Sequence, residues 1–148
     1  MFRIQTCRSS RQPGWLPLRQ ALWPHAPEHE HRDDIEQQLK APQRYINFVA
    51  YDAQGQPVGL AEASLRNDYV NGTDSSPVVY LEGIYVVPQQ RRHGVAARLI
   101  EQVAQWGRDN GCTEMASDTG LDNLVSQATH KALGFEETER VVYFKRPL

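Results

Sequence analysis

The run Val79–Ile100, VYLEGIYVVPQQRRHGVAARLI, joins two elements of different period. Residues 79–87 are apolar, β-branched and aromatic, the composition of an interior strand, and Pro88 stops it. Beyond it the spacing turns helical. Val95, Leu99, Val103 and Trp106 share one face, Ala96 and Ile100 widen it, and Asn110-Gly111 is the stop signal. A strand that passes through a glycine into a long helix presents unpaired backbone N–H groups where the helix dipole favours an anion. Arg91 and Arg92 add positive charge at that place, and a pyrophosphate suits it. On the junction alone, a simple turn glycine beside solvated arginines weighs as much. The motif is neither GxxxxGK[ST] nor GxGxxG. Within the strand, Glu82-Gly83 is out of character, because an unpaired carboxylate is costly to bury and a glycine suggests a bulge.

Working outward, 148 residues with 40% hydrophobic and 23% charged side chains point to one domain spanning 1–148. The net charge of −2 gives no electrostatic ground for a nucleic-acid partner and suits a cationic small molecule. Cys7 and Cys112 lack metal or redox spacing, so free thiols in a reducing cytoplasm are expected. Residues 1–14 hold no apolar signal core, and no run nears the roughly 20 apolar residues of a membrane span, so no membrane partner is expected.

The patterns predict strands at 2–7, 44–52, 57–68, 77–87 and 112–118, and helices at 14–24, 28–40, 91–109 and 122–133. The turn AQGQ at 53–56 joins two of the strands, and residues 135–148 are expected to add one or two more. The fold class is therefore α/β (mixed α+β). A twisted mixed sheet of six to seven strands carries about four helices on its two faces, antiparallel at the front and parallel at the back.

Two motifs carry a resemblance. Arg91-Arg92-His93-Gly94-Val95-Ala96 is similar to the R/Q-x-x-G-x-G/A signature of the GNAT acetyltransferases, and it lies between strand and helix as that family requires. The helix NLVSQATHKALGF at 123–135 resembles the family's N-x-x-(small)-x-x-x-Y-x-x-x-G-F element, with Asn123, Ser126, Gly134 and Phe135 in register. The resemblance implies acetyl-CoA as cosubstrate. Its pyrophosphate would lie on the turn formed by Arg91, Arg92, His93, Gly94, Val95, Ala96 and Ala97. Its pantetheine arm would pair with Ile84, Tyr85, Val86 and Val87, and Asn123 would touch the arm. The family often places a tyrosine on the last helix to protonate the thiolate. Here His130 stands there, so His130, Tyr143 or water takes that role.

Attack on a thioester requires a neutral amine, hence a base. Glu82 and Asp118, the latter closing MASD, are the candidates; a structural ion pair for Glu82 and a helix cap for Asp118 compete with that reading. The closer resemblance is to aminoglycoside 6′-N-acetyltransferases, carried by LWP at 22–24, DYVNGTDSSP at 68–77, LEGI at 81–84, MASDT at 115–119 and GFEET at 134–138. It implies an acceptor site formed by Trp23, His25, Tyr69, Asp74, Glu82, Asp118 and Glu136, with carboxylates and aromatic faces suited to a polyamine sugar. The family also implies a homodimer. Acetylation of a peptide, lysine or polyamine, or silent acyl-CoA binding, are the rival readings. PHAPEHEH at 24–31 is read as a solvated helix start, and no metal is expected, since His29 and His31 cannot share a helical face.

Overall fold

The computed structural model describes residues 1–148. The elements are β1 (Arg3–Thr6), α1 (Trp15–Leu22), α2 (Glu28–Leu39), β2 (Tyr45–Tyr51), β3 (Pro57–Arg66), β4 (Val78–Val86), α3 (Val95–Asp109), β5 (Met115–Ser117) and α4 (Leu124–Ala132). A 3-10 turn at Pro88–Gln90 precedes α3. The five strands form one sheet in sequential order, antiparallel from β1 to β4, with β5 parallel to β4.

The mixed sheet and its split into antiparallel and parallel halves match the sequence reading. The strand count does not. Five strands form instead of six to seven, because residues 135–148 form none. Phe135 still packs on the core, but Val142, Tyr143 and Phe144 stand in solvent. Strand-forming residues need a partner edge to pair their backbone groups, and this segment pairs with none of the five strands.

Alternation along the strands builds two cores. Phe48 and Ala50 of β2, Ala61 and Ala63 of β3, and Val79 and Leu81 of β4 pack under Val95, Leu99 and Val103 of α3. On the opposite face, Val49, Tyr51 and Leu60 pack against Trp15 and Leu18 of α1 and Ile35 of α2. Helix α1 stops at Leu22, ahead of Pro24, whose ring disfavours helical backbone in the residue before it.

Two details of β4 position the site. First, its register with β3 passes from Ala63↔Leu81 to Glu62↔Gly83, so Glu82 is the extra residue of a bulge. Second, β4 pairs with β3 along its whole length but with β5 only from Val79 to Leu81. From Glu82 to Val86, one edge of the strand is free of any β partner.

Candidate active site

The glycine turn after β4 has the geometry of an anion cradle. Arg92 (φ 65°) and Gly94 (φ 82°) both adopt left-handed backbone, which delays the start of α3 to Val95 rather than Arg91. Alternating hands along the backbone turn successive N–H groups towards one concavity. Gly94 is the N-cap of α3, and no side chain caps that end, so the first-turn N–H groups keep no side-chain acceptor. Space around Gly94 is open. Arg91, Arg92, His93 and Ala97 are exposed, whereas Val95 is buried in the core and Ala96 is half-buried. Arg91 folds back, donating from Nε to Val86 O (2.9 Å) with its guanidinium over the Tyr85 ring.

The turn and the unpaired edge at Glu82–Val86 are continuous along the chain, a ladder of backbone groups ending in an anion site. They fit a long diphosphate-bearing arm such as that of CoA. Asn123 lies at the start of α4, and its Oδ1 accepts from Ser126 N (3.1 Å), so that oxygen serves as helix cap.

Where β4 and β5 part, a polar cluster fills the fork. Ser117 Oγ lies 3.2 Å from Leu81 O and 2.9 Å from His130 Nε2. His130 Nδ1 donates to Ser126 O (2.8 Å), and the ring meets Phe135 edge-on. His130 thus sits on α4 with one nitrogen directed at the fork. Tyr143 is 86% exposed and takes no part in this cluster.

On the α1/α2 side of the sheet lies a cleft of about 870 Å³, lined among others by Trp23, Glu62, Ser64, Arg66, Tyr69 and Glu82. Glu82 is not a buried acid; its side chain retains 32% exposure and opens into the cleft. Arg66 Nη2 donates to both of its carboxylate oxygens (2.9 Å each), and Ser64 Oγ donates to Oε2 (2.9 Å). Gly83, next to it, faces Trp23 and Leu22 at a separation that a Cβ would fill. Tyr69 is 77% exposed at the cleft edge.

Asp118 does not cap α4. It lies just past the end of β5 and accepts the hydroxyl proton of Tyr80. Burial, then the hydrogen bond to Asp118, push the Tyr80 phenol well above the ordinary tyrosine range, so it stays protonated and donating. Tyr80 also carries the Arg66 guanidinium on its ring face, 3.4 Å from the centroid. Glu82, Arg66, Tyr80 and Asp118 therefore form one connected chain across the sheet.

The acid that is buried is Glu62, at 1% exposure. Trp15 Nε1 (2.8 Å) and Arg19 Nε (2.9 Å) donate to its Oε2. Arg19 also reaches His31 Nδ1 (2.9 Å) and Asp34 (3.1 Å), and stacks on the Trp23 ring. Because a guanidinium only donates, His31 Nδ1 accepts, and its Nε2–H reaches Trp23 O at 3.1 Å. Trp23 is thereby held twice, by Arg19 on its ring and by His31 at its carbonyl.

Of the remaining sequence-derived residues, Asp74 lines a smaller hollow with Tyr69, and its N–H donates to Glu114. His25 and Glu136 are exposed and, like Asp118, lie outside the lining of the cleft. His25 follows Pro24 out of α1, and Glu136 opens the C-terminal segment that leaves the sheet.

A model of the acetyltransferase (GNAT) family matches residues 12–135. An aminoglycoside N(6′)-acetyltransferase type 1 of Salmonella typhimurium is 52% identical over 132 residues, 89% of this chain and 90% of that protein. The structure of AAC(6′)-Iy in complex with the bisubstrate analogue CoA-S-monomethyl-acetylneamine superposes with a TM-score of 0.93 at 47% identity, covering 100% of this chain and 99% of that one. The aminoglycoside 6′-N-acetyltransferase AAC(6′)-Ih of Acinetobacter baumannii also gives a TM-score of 0.93, at 44% identity and the same coverage.

Proposed function

The chain belongs to the acetyltransferase (GNAT) family, and from that premise we propose how it works: it transfers the acetyl group of acetyl-CoA to the 6′-amine of an aminoglycoside, by direct attack within a ternary complex. The single observation that carries the reading is the meeting of two grooves at Glu82. The free β4 edge and the glycine turn run from it in one direction, and the cleft walled by Trp23 and Tyr69 opens from it in the other. The relative AAC(6′)-Iy accommodates CoA and an aminoglycoside fragment joined in one molecule, which supports simultaneous occupation of the two grooves.

Each residue has a task in this account. The N–H groups of the Arg92–Ala97 turn receive the pyrophosphate, and the edge at Ile84–Val87 receives the pantetheine amides. Arg91 leaves Val86 O when the arm arrives. Asn123 meets the arm with its amide NH₂, its oxygen being committed to the cap. Glu82 and the faces of Trp23 and Tyr69 hold the sugar, with Asp74 at the outer edge.

Asp118 takes the proton from the 6′-ammonium. One of its oxygens is fixed by Tyr80 and the other has no protein partner, whereas both oxygens of Glu82 are engaged. The neutral amine then attacks the thioester carbonyl, the C–N bond forms, and the C–S bond breaks. The departing thiolate takes the Ser117 hydroxyl proton, which is replaced from Nε2 of His130 when that ring carries a proton on both nitrogens, at the fork where β4 and β5 separate.

A cytoplasmic location and a role in antibiotic resistance follow from the reaction, since acetyl-CoA is a cytoplasmic metabolite. No helix is long and apolar enough to cross a membrane. A homodimer is supported by the exposed apolar segment Val141–Phe144, which finds no partner within one chain.

Free thiol released from acetyl-CoA tests the reading. Kanamycin supports rapid release, and spermidine and a lysine peptide do not. Release with the peptide or spermidine alone would replace the acceptor class, and binding of CoA without release for any amine would reduce the protein to a binding module.

A further inference from the structure

The cleft that is to hold a polycation already contains a cation of its own. Arg66, the last residue of β3, places one nitrogen 2.9 Å from each oxygen of Glu82 and lies flat on Tyr80. A second guanidinium–carboxylate pair, Arg19 with Glu62, borders the same cleft, but the two pairs are built differently. The Arg19 and Glu62 side chains are 7% and 2% exposed, with Arg19 held by further partners. Those of Arg66 and Glu82 are 40% and 32% exposed. A buried pair of the first kind is fixed, because separating it strands a charge. A pair exposed to this degree contributes little and exchanges readily.

Resting on the acceptor reading above, we propose that Arg66 is a specificity-determining residue: its guanidinium occupies the ammonium subsite at Glu82, and an amine reaches that acid only by displacing it. A monoamine has one ammonium with which to compete. It has only Glu82 to bind and must displace Arg66, whereas a polyamine sugar also has ammonium groups for Asp68, which lines the same cleft, and is held there whether or not Arg66 has moved. Arg66 thereby raises the threshold for simple amines more than for multivalent ones. When displaced, it retains its stacking place on Tyr80 and stays beside the acid.

The test compares wild type with Arg66→Met and Arg66→Lys. The readouts are the KM for kanamycin and the inhibition constant of 6-amino-6-deoxyglucose, which carries the same primary amine on a single ring. Arg66 sits half-exposed at a strand end, so these changes do not open the core. Arg66→Met lowers the inhibition constant of the monoamine about fivefold, the scale of an exposed ion pair, and the KM for kanamycin by less. Arg66→Lys keeps the competing charge and stays near wild type. Unchanged constants in Arg66→Met, or a rise in both, would overturn the proposal and make Arg66 a structural or acceptor-contacting residue. Failure of wild type to acetylate kanamycin is a separate result, which would strike the aminoglycoside reading itself.

Discussion

The indole of Trp23 and the backbone of Gly83 meet where only a glycine fits: a Cβ on Gly83 would stand 2.6 Å from Trp23 Cζ2. The bulge at Glu82 sits beside this meeting: Glu82 opens into the cleft, and Gly83 after it faces Trp23 of the cleft wall. The glutamate and glycine that look misplaced in an apolar strand are thus one device. The acid faces the cleft, and the missing side chain seats the aromatic wall beside it.

Gly83→Ala therefore pushes Trp23 from its seat. Overpacking of this kind costs about 1–3 kcal/mol, and the displaced wall raises the KM for kanamycin on the order of tenfold or more, with a smaller effect on the KM for acetyl-CoA. Steady-state kinetics with each substrate varied in turn decides it, and equal effects on both would contradict the seating role.

Glu62→Leu leaves Arg19 beneath the cleft without its main counter-ion and Trp15 Nε1 without an acceptor. Breaking a buried pair destabilises by about 3–5 kcal/mol, which lowers Tm by roughly 10 °C in a domain of this size. Calorimetry with CoA absent reads this directly. A Tm within a degree or two of wild type would show that Asp34 alone suffices for Arg19.

Gly94→Ala forces a side chain into left-handed backbone at the anion turn. The strain is about 1–2 kcal/mol. CoA affinity, measured by titration calorimetry, weakens roughly 5- to 30-fold, while kanamycin binding changes little. Undiminished CoA affinity would place the pyrophosphate elsewhere.

Acid loosens the loop at 69–76. Glu114 Oε1 accepts the Ser75 hydroxyl and the Asp74 N–H, and these bonds, the Ser75 one foremost, hold its carboxyl below the usual value of 4.5. A carboxyl whose folded-state pKa is lowered contributes stability above its unfolded value, and that contribution is lost as pH falls through the folded one. Wild type and Glu114→Gln thus differ in loop protection at neutral pH and begin to converge only as pH falls below about 4.5. Amide hydrogen exchange at Asp74 and Ser75 shows whether they do, and a difference constant with pH would dismiss the link.

What the sequence made legible was local. Helix α3, its glycine start and the strand before it are contiguous patterns, and the registers of Asn123 and His130 follow from helix spacing. Glu62 carried the same signal as Glu82, an acid inside the apolar run GLAEASL, and went unread because its satisfaction comes from Arg19, 43 residues away in sequence. Tyr80 is two residues before Glu82 in the same run, so period-two alternation was its available signal. Ser64 and Arg66 required the β3–β4 register, which no pattern in one strand supplies. The closing strand failed for the opposite reason: residues 141–144 have strand propensity, but propensity says nothing of whether a segment pairs, and this one pairs with no strand.

In this mechanism the acetyl group is delivered to one amine of an aminoglycoside, the 6′ position, at the meeting point of the two grooves. NMR of the product formed from kanamycin and acetyl-CoA tests it most directly. A single new amide is expected at the 6′ nitrogen, formed in step with free CoA thiol and absent when the acceptor carries a 6′-hydroxyl in place of the amine. Acetylation at another nitrogen, or undiminished turnover of the 6′-hydroxyl acceptor, would contradict it.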